Sequence, residues 1–127
     1  MTILFLHGGP GLDAAAERAW FDASIPVDWW DQPRVATLEH PFRTLCEMAE
    51  ERLEYWHAAN GAPVPVLAHS FGAVIAHALC LRRPDLISQL VLLTPLFDPL
   101  LVLSPKKVDE TAIAVTPRIS ATLLNLG

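Results

Sequence analysis

Ser70 stands between two small residues, Ala68 before it and Gly72 after it. The apolar, β-branched run Val64 to Leu67 leads in, and the small-residue helical pattern Ala73 to Ala76 leads out. A serine hydroxyl is a weak nucleophile, and a strand–turn–helix context of this kind makes it usable. The turn is tight, so it holds the serine in a strained backbone conformation that lifts the hydroxyl above the strand end. Strand and helix nearly touch there, which requires small side chains two positions to either side. Ala68 adds one methyl group to the glycine of the G-x-S-x-G pattern, which crowds the turn without forbidding it.

A second motif, His7-Gly8-Gly9-Pro10-Gly11, ends the short apolar run Ile3 to Leu6. On these two motifs the chain resembles the α/β-hydrolases, and most closely the branch of proline iminopeptidases and related esterases with H-G-G-P-G ahead of the nucleophile elbow. The resemblance covers residues 2 to 98. It implies a partial α/β-hydrolase fold, with about four parallel strands and flanking helices in three αβα layers. The implied strand order is second, first, third, fourth, with Ser70 near the centre. The implied activity is ester or amide cleavage through an acyl-enzyme at Ser70, on a small acyl substrate and without a cofactor or metal. The Phe71 N–H would be one oxyanion donor and the N–H of Gly8 or Gly9 another. Each such donor is worth roughly 3 to 4 kcal/mol of transition-state stabilisation. Pro10 stiffens the loop, and the family's histidine at the position of His7 is structural.

The serine still needs a base and an acid to orient that base. The family's chain order is serine, acid, histidine. The last of the five histidines here is His77, so none stands late in the chain. His69 precedes the serine and is expected to point elsewhere. His77 falls on a buried apolar stretch and reads as a core residue. His57 belongs to an exposed helix face. His40, before Pro41, could fold back toward the site. Asp98 follows the fourth expected strand, where a minority of the family places the acid; a loop aspartate setting a turn before Pro99 is the plainer reading.

The elements that position these groups follow from periodicity. Thr2 to Leu6 reads as a buried parallel strand, and the glycine-rich loop cannot continue it. Asp13 can cap an alanine-rich helix over Ala14 to Ala23, which Pro26 brings to an end. Val27 to Asp31 is a second strand, and Asp31, Gln32 and Arg34 echo the family's Asp-Gln-Arg turn with a proline inserted. Trp29 and Trp30 read as packing residues at the sheet edge, with a binding role as the alternative. Phe42, Leu45, Ala49, Leu53 and Trp56 recur at helical spacing over Phe42 to Asn60, which Asn60-Gly61 ends. Glu47, Glu50, Glu51 and Glu54 fall mainly on solvated faces. The strand Val64 to Ala68 carries Ser70, and the helix after it runs to Leu81, apolar nearly all round. Arg82 and Arg83 suit the helix C-terminus, and Ser88 to Thr94 is a last buried strand. Strand and helix patterns alternating in this way call for right-handed βαβ units. Residues 1–98 form the expected core; 99–127 read as the start of a lid or cap, or as a disordered tail.

Composition bounds the rest. A chain of 127 residues has room for one domain, and at 52% hydrophobic and 18% charged it is not a disordered one. Net charge is −5 with scattered acids, which offers nothing to nucleic acid or an anionic membrane. Cys46 and Cys80 lie in separate expected helices and read as reduced, buried thiols of a cytoplasmic protein. Gly8-Gly9-Pro10-Gly11 lacks the Lys-Ser/Thr pair of a phosphate loop, and no G-x-G-x-x-G fingerprint is present. With no late histidine, the simplest expectation is a truncated or fragmentary serine hydrolase. The alternatives are an inactive α/β-hydrolase-like binding module, or half of a split enzyme whose complementing chain docks on the open apolar sheet edge.

Overall fold

A computed structural model describes residues 1–93 apart from Pro10, Asp22 and Ala36. Asp98, Thr94 and the expected lid segment lie outside the described residues. The order is β1 (Ile3–Leu6), α1 (Ala15–Arg18), β2 (Val27–Trp30), α2 (Pro41–Asn60), β3 (Val64–His69), α3 (Gly72–Arg82), a 3-10 turn (Pro84–Leu86) and β4 (Ile87–Leu93). The strands form one sheet in the order β2-β1-β3-β4, with every neighbouring pair parallel.

Register explains which side chains become core. Leu4 and Leu6 pair with Val66 and Ala68, which pair in turn with Leu90 and Leu92. Side chains alternate along a strand, so these residues share one face. Leu45, Ala49 and Leu53 of α2 and Ile75, Ala76 and Leu79 of α3 pack on it, all buried. The opposite face carries Phe5 and Trp29, adjacent in register with ring centroids 4.8 Å apart. Phe21, beyond α1, covers Trp29 at 5.3 Å. Trp29 is therefore a packing residue. The step from β1 to β2 runs opposite to the step from β2 to β3, so right-handed crossovers send α1 and α2 to opposite faces.

Two elements differ from expectation. α1 is a single turn, Ala15–Arg18, rather than a helix to Ala23. Its alanines offer no apolar stripe to bury, and a short helix without tertiary packing does not hold. Asp13 accepts the Ala15 N–H at 3.0 Å, but the N-cap position itself falls to Ala14, which makes no side-chain capping bond. In α2, Phe42 is 44% exposed, and Cys46 takes the inward place beside Leu45. Gly61 closes α2 in the left-handed region at φ 67°, as Asn60-Gly61 suggested. Arg82 and Arg83 serve as ion-pair partners for Glu50, Glu54 and Asp85, tying α3 to α2.

Candidate active site at the β3–α3 turn

β3 ends at His69 and α3 begins at Gly72, so Ser70 and Phe71 make the whole connection. Ser70 has φ 50°, the one positive φ of a non-glycine residue among the described residues. That conformation costs about 1 to 2 kcal/mol, and the surroundings hold it. The Ser70 N–H donates to Leu93 O at 3.0 Å, and Ser70 O accepts the Ala73 N–H at 3.0 Å. Gly72 lies directly against the end of β1, where a Cβ would overlap the Leu6 carbonyl and stand 2.9 Å from His7 O. Ala68, fully buried, is wedged between Leu6 and Leu92.

The glycine loop comes up against this turn. A Cβ on Gly8 would stand 3.2 Å from Ser70 Cβ and 3.2 Å from His69 Nδ1. His7, fully buried, sets the loop's orientation. The Gln32 N–H donates to His7 Nε2 at 2.9 Å, so Nε2 is unprotonated; Nδ1 carries the hydrogen and donates to Gly8 O at 2.9 Å. Gln32 Nε2 donates to His7 O at 2.8 Å. The Asp31-Gln32-Arg34 segment thus acts through backbone placement: Gln32 clamps His7, and Asp31 accepts the Ala14 N–H at 3.0 Å. Gly9 and Gly11 adopt φ 67° and 80°, conformations that favour glycine.

Glu17 is the residue that sequence reasoning passed over. It points inward from α1 and is 6% exposed. Its Oε1 accepts the Gly8 N–H at 3.3 Å and His69 Nδ1–H at 2.7 Å. Burial pushes this carboxyl up, but the His69 hydrogen bond and backbone donors including Gly8 outweigh it, so it sits below the ordinary glutamate value. His69 therefore does not point away. It lines one cleft of about 590 Å³ with Ser70, Gly8, Gly9 and Glu17, and Leu12 and Trp20 form an exposed apolar rim. Phe71 lines an adjoining, more apolar cavity of about 630 Å³ with Phe42, Leu45 and Val35. Gly11 and Arg34 border both.

The structure therefore brings Ser70, Gly8 and Gly9 together around one cleft and puts Phe71 at its edge. His40 is exposed beside Glu39, and His57 and His77 are on helices outside this cleft. Partial burial lowers the pKa of the His77 imidazole; the residue is half-buried rather than part of the core. Among the described residues, no three His, Cys, Asp or Glu side chains are grouped to hold a metal. No described helix is long and apolar enough to cross a membrane.

No family model matches the chain. It is 30% identical over 105 residues to a proline iminopeptidase of Heyndrickxia coagulans, which covers 73% of this chain and 34% of that protein. It resembles the crystal structure of a probable hydrolytic enzyme from Pseudomonas aeruginosa PAO1 with a TM-score of 0.51 and 27% identity. That match covers 74% of this chain and 32% of the other. The chain thus spans about a third of the length of the relatives it matches. Four parallel strands with flanking helices and these likenesses make the fold a partial α/β-hydrolase fold.

Proposed function

We propose that this chain carries the nucleophile-bearing portion of a serine hydrolase that cleaves a small ester or amide through an acyl-enzyme. One observation carries the reading: Ser70 sits at φ 50° in a two-residue strand–helix turn, with Gly8 packed against its Cβ. The likeness to a proline iminopeptidase and to a probable hydrolytic enzyme supports the class.

In this reading Ser70 Oγ attacks the substrate carbonyl carbon and passes its proton to a base. The carbonyl π electrons move to oxygen, and the resulting oxyanion accepts hydrogen bonds from backbone N–H groups. Collapse expels the leaving group with a proton, and water then releases the acid. The Phe71 N–H, at the start of α3, is the first donor. The Gly8 N–H already donates to Glu17, which favours Gly9 over Gly8 as the second. His7 supports that choice. It holds the Gly8 carbonyl, and in a trans peptide the Gly9 N–H points the opposite way. Asp98 remains the proposed acid, and the base is the group to be identified.

A second reading has its own observation. β4 pairs with β3 alone among the described residues, although Ile87, Leu90 and Leu92 are buried core. A complementing chain on that edge would make this half of a split enzyme. A fluorophosphonate probe tests both readings. Stoichiometric mass gain on the Ser70 peptide of the purified chain, absent in Ser70→Ala, is the expected result. Labelling that appears only in native extract, with a second chain co-purifying, would establish the split arrangement. No labelling in either setting, beside a reactive control hydrolase, would leave a binding module.

A further inference from the structure

Glu17 has no part in the chemistry so far, yet among the described residues it is the only buried carboxylate at the Ser70 cleft. One of its oxygens joins two segments that are distant in sequence. It accepts the Gly8 N–H of the glycine loop and the Nδ1–H of His69, the last residue of β3. A surface acid on an alanine-rich turn gains nothing from such burial, because removing a carboxylate from water is costly unless its lone pairs are taken up. Here two donors take them up, and both flank the same serine.

We infer that Glu17 is a positioning residue for the oxyanion site, strapping the glycine loop to the Ser70 turn. The inference rests on the hydrolase reading above. Two consecutive peptide groups of the loop are held from different directions. Glu17 fixes the peptide that carries the Gly8 N–H, and His7 fixes the next one through the Gly8 carbonyl. With both fixed, the Gly9 N–H has one orientation, and its distance from the Phe71 N–H is set before substrate arrives. Pre-set donors need no reorganisation during reaction, which is where oxyanion stabilisation gets its size. The same bond holds a hydrogen on His69 Nδ1 and fixes the orientation of the ring. His69 Nε2 makes no hydrogen bond among the described residues and remains able to meet a substrate or a water in the cleft.

The test uses the full chain in two measurements. The first follows the amide proton of Gly8 by heteronuclear NMR from neutral to acid pH. A strapped amide shifts as the Glu17 carboxylate takes its proton, and the shift vanishes in Glu17→Gln. The second compares rates of Ser70 phosphonylation in wild type, Glu17→Gln and Glu17→Ala, each checked for a native amide spectrum. Glutamine keeps an acceptor oxygen for both donors and should restore the rate to within about threefold of wild type. Alanine leaves both donors unheld and should slow labelling by about tenfold or more. A merely structural Glu17 would leave labelling of the folded Glu17→Ala protein at the wild-type rate, which overturns the inference. A Gly8 amide that ignores the Glu17 titration overturns it too, even if Glu17→Ala fails to fold. If wild type is not labelled at all, the hydrolase reading falls, and the amide titration still decides whether the strap exists.

Discussion

Gly72 of α3 and Leu6 of β1 meet backbone to backbone. A Cβ on Gly72 would overlap the Leu6 carbonyl and also crowd His7 O at 2.9 Å. Neither obstacle is a side chain that can turn aside. Gly72→Ala must push α3 off the sheet at its central crossing, with an expected loss of about 3 kcal/mol or more. The measurement is the urea midpoint at constant m-value. An unchanged midpoint would mean that helix and strand do not touch there.

Asp28 clamps the β2 edge to α2. It accepts Arg52 Nε at 2.6 Å, Arg52 Nη2 at 3.0 Å and Trp56 Nε1 at 2.6 Å. Asp28 is largely buried at 10% side-chain exposure, whereas Arg52 is 39% exposed, so the ion pair itself is partly screened. Asp28→Ala is expected to cost about 2 kcal/mol, mostly through the indole and guanidinium donors it strands. Unfolding followed by tryptophan emission reads both the stability and the altered surroundings of Trp56. A loss under about 0.5 kcal/mol would place the clamp among ordinary surface pairs.

The thiols should be silent in the native state. Cys46 and Cys80 are free and buried, and burial pushes the Cys80 thiol up to about 12. The thiolate is the reactive form, so Cys80 is shielded both sterically and by protonation. A maleimide reagent at neutral pH should modify neither until denaturant is added. Rapid modification of Cys80 in the folded chain would show that α3 opens from the sheet.

The Glu17 carboxyl, held below its ordinary value, ties stability to pH with a definite sign. A group whose folded-state pKa is depressed stabilises the fold above its unfolded pKa, and that contribution is lost as pH falls through the folded value. Stability should therefore drop as pH falls below the ordinary glutamate range of about 4.3 to 4.5. Glu17→Gln should flatten that part of the curve while leaving the neutral-pH slope alone. Urea midpoints across this range decide it; parallel curves for the two proteins would remove Glu17 from the acid response.

Much of this fold is legible from local pattern. The alternation of strand and helix periods announces a parallel sheet, whose order β2-β1-β3-β4 is the one the family resemblance implied, and Asn60-Gly61 stops α2 because only glycine takes φ 67° cheaply. Ala68 and Gly72 announce a tight turn only together with the strand pattern before them and the helix pattern after them, and Ser70 at φ 50° is the strain such a turn imposes. α1 was legible only as propensity, which is why alanine content overstated its length.

The sequence by itself determined the elements and the serine's turn, because each depends on residues within a few positions of one another. Only the tertiary structure decided which polar groups meet at that turn. Glu17 and His69 are 52 positions apart, and His7 and Gln32 are 25 apart. No period links such pairs. They meet because β1 and β3 are neighbours, because α1 crosses the face opposite α2, and because a buried donor or acceptor must find whatever partner that packing brings.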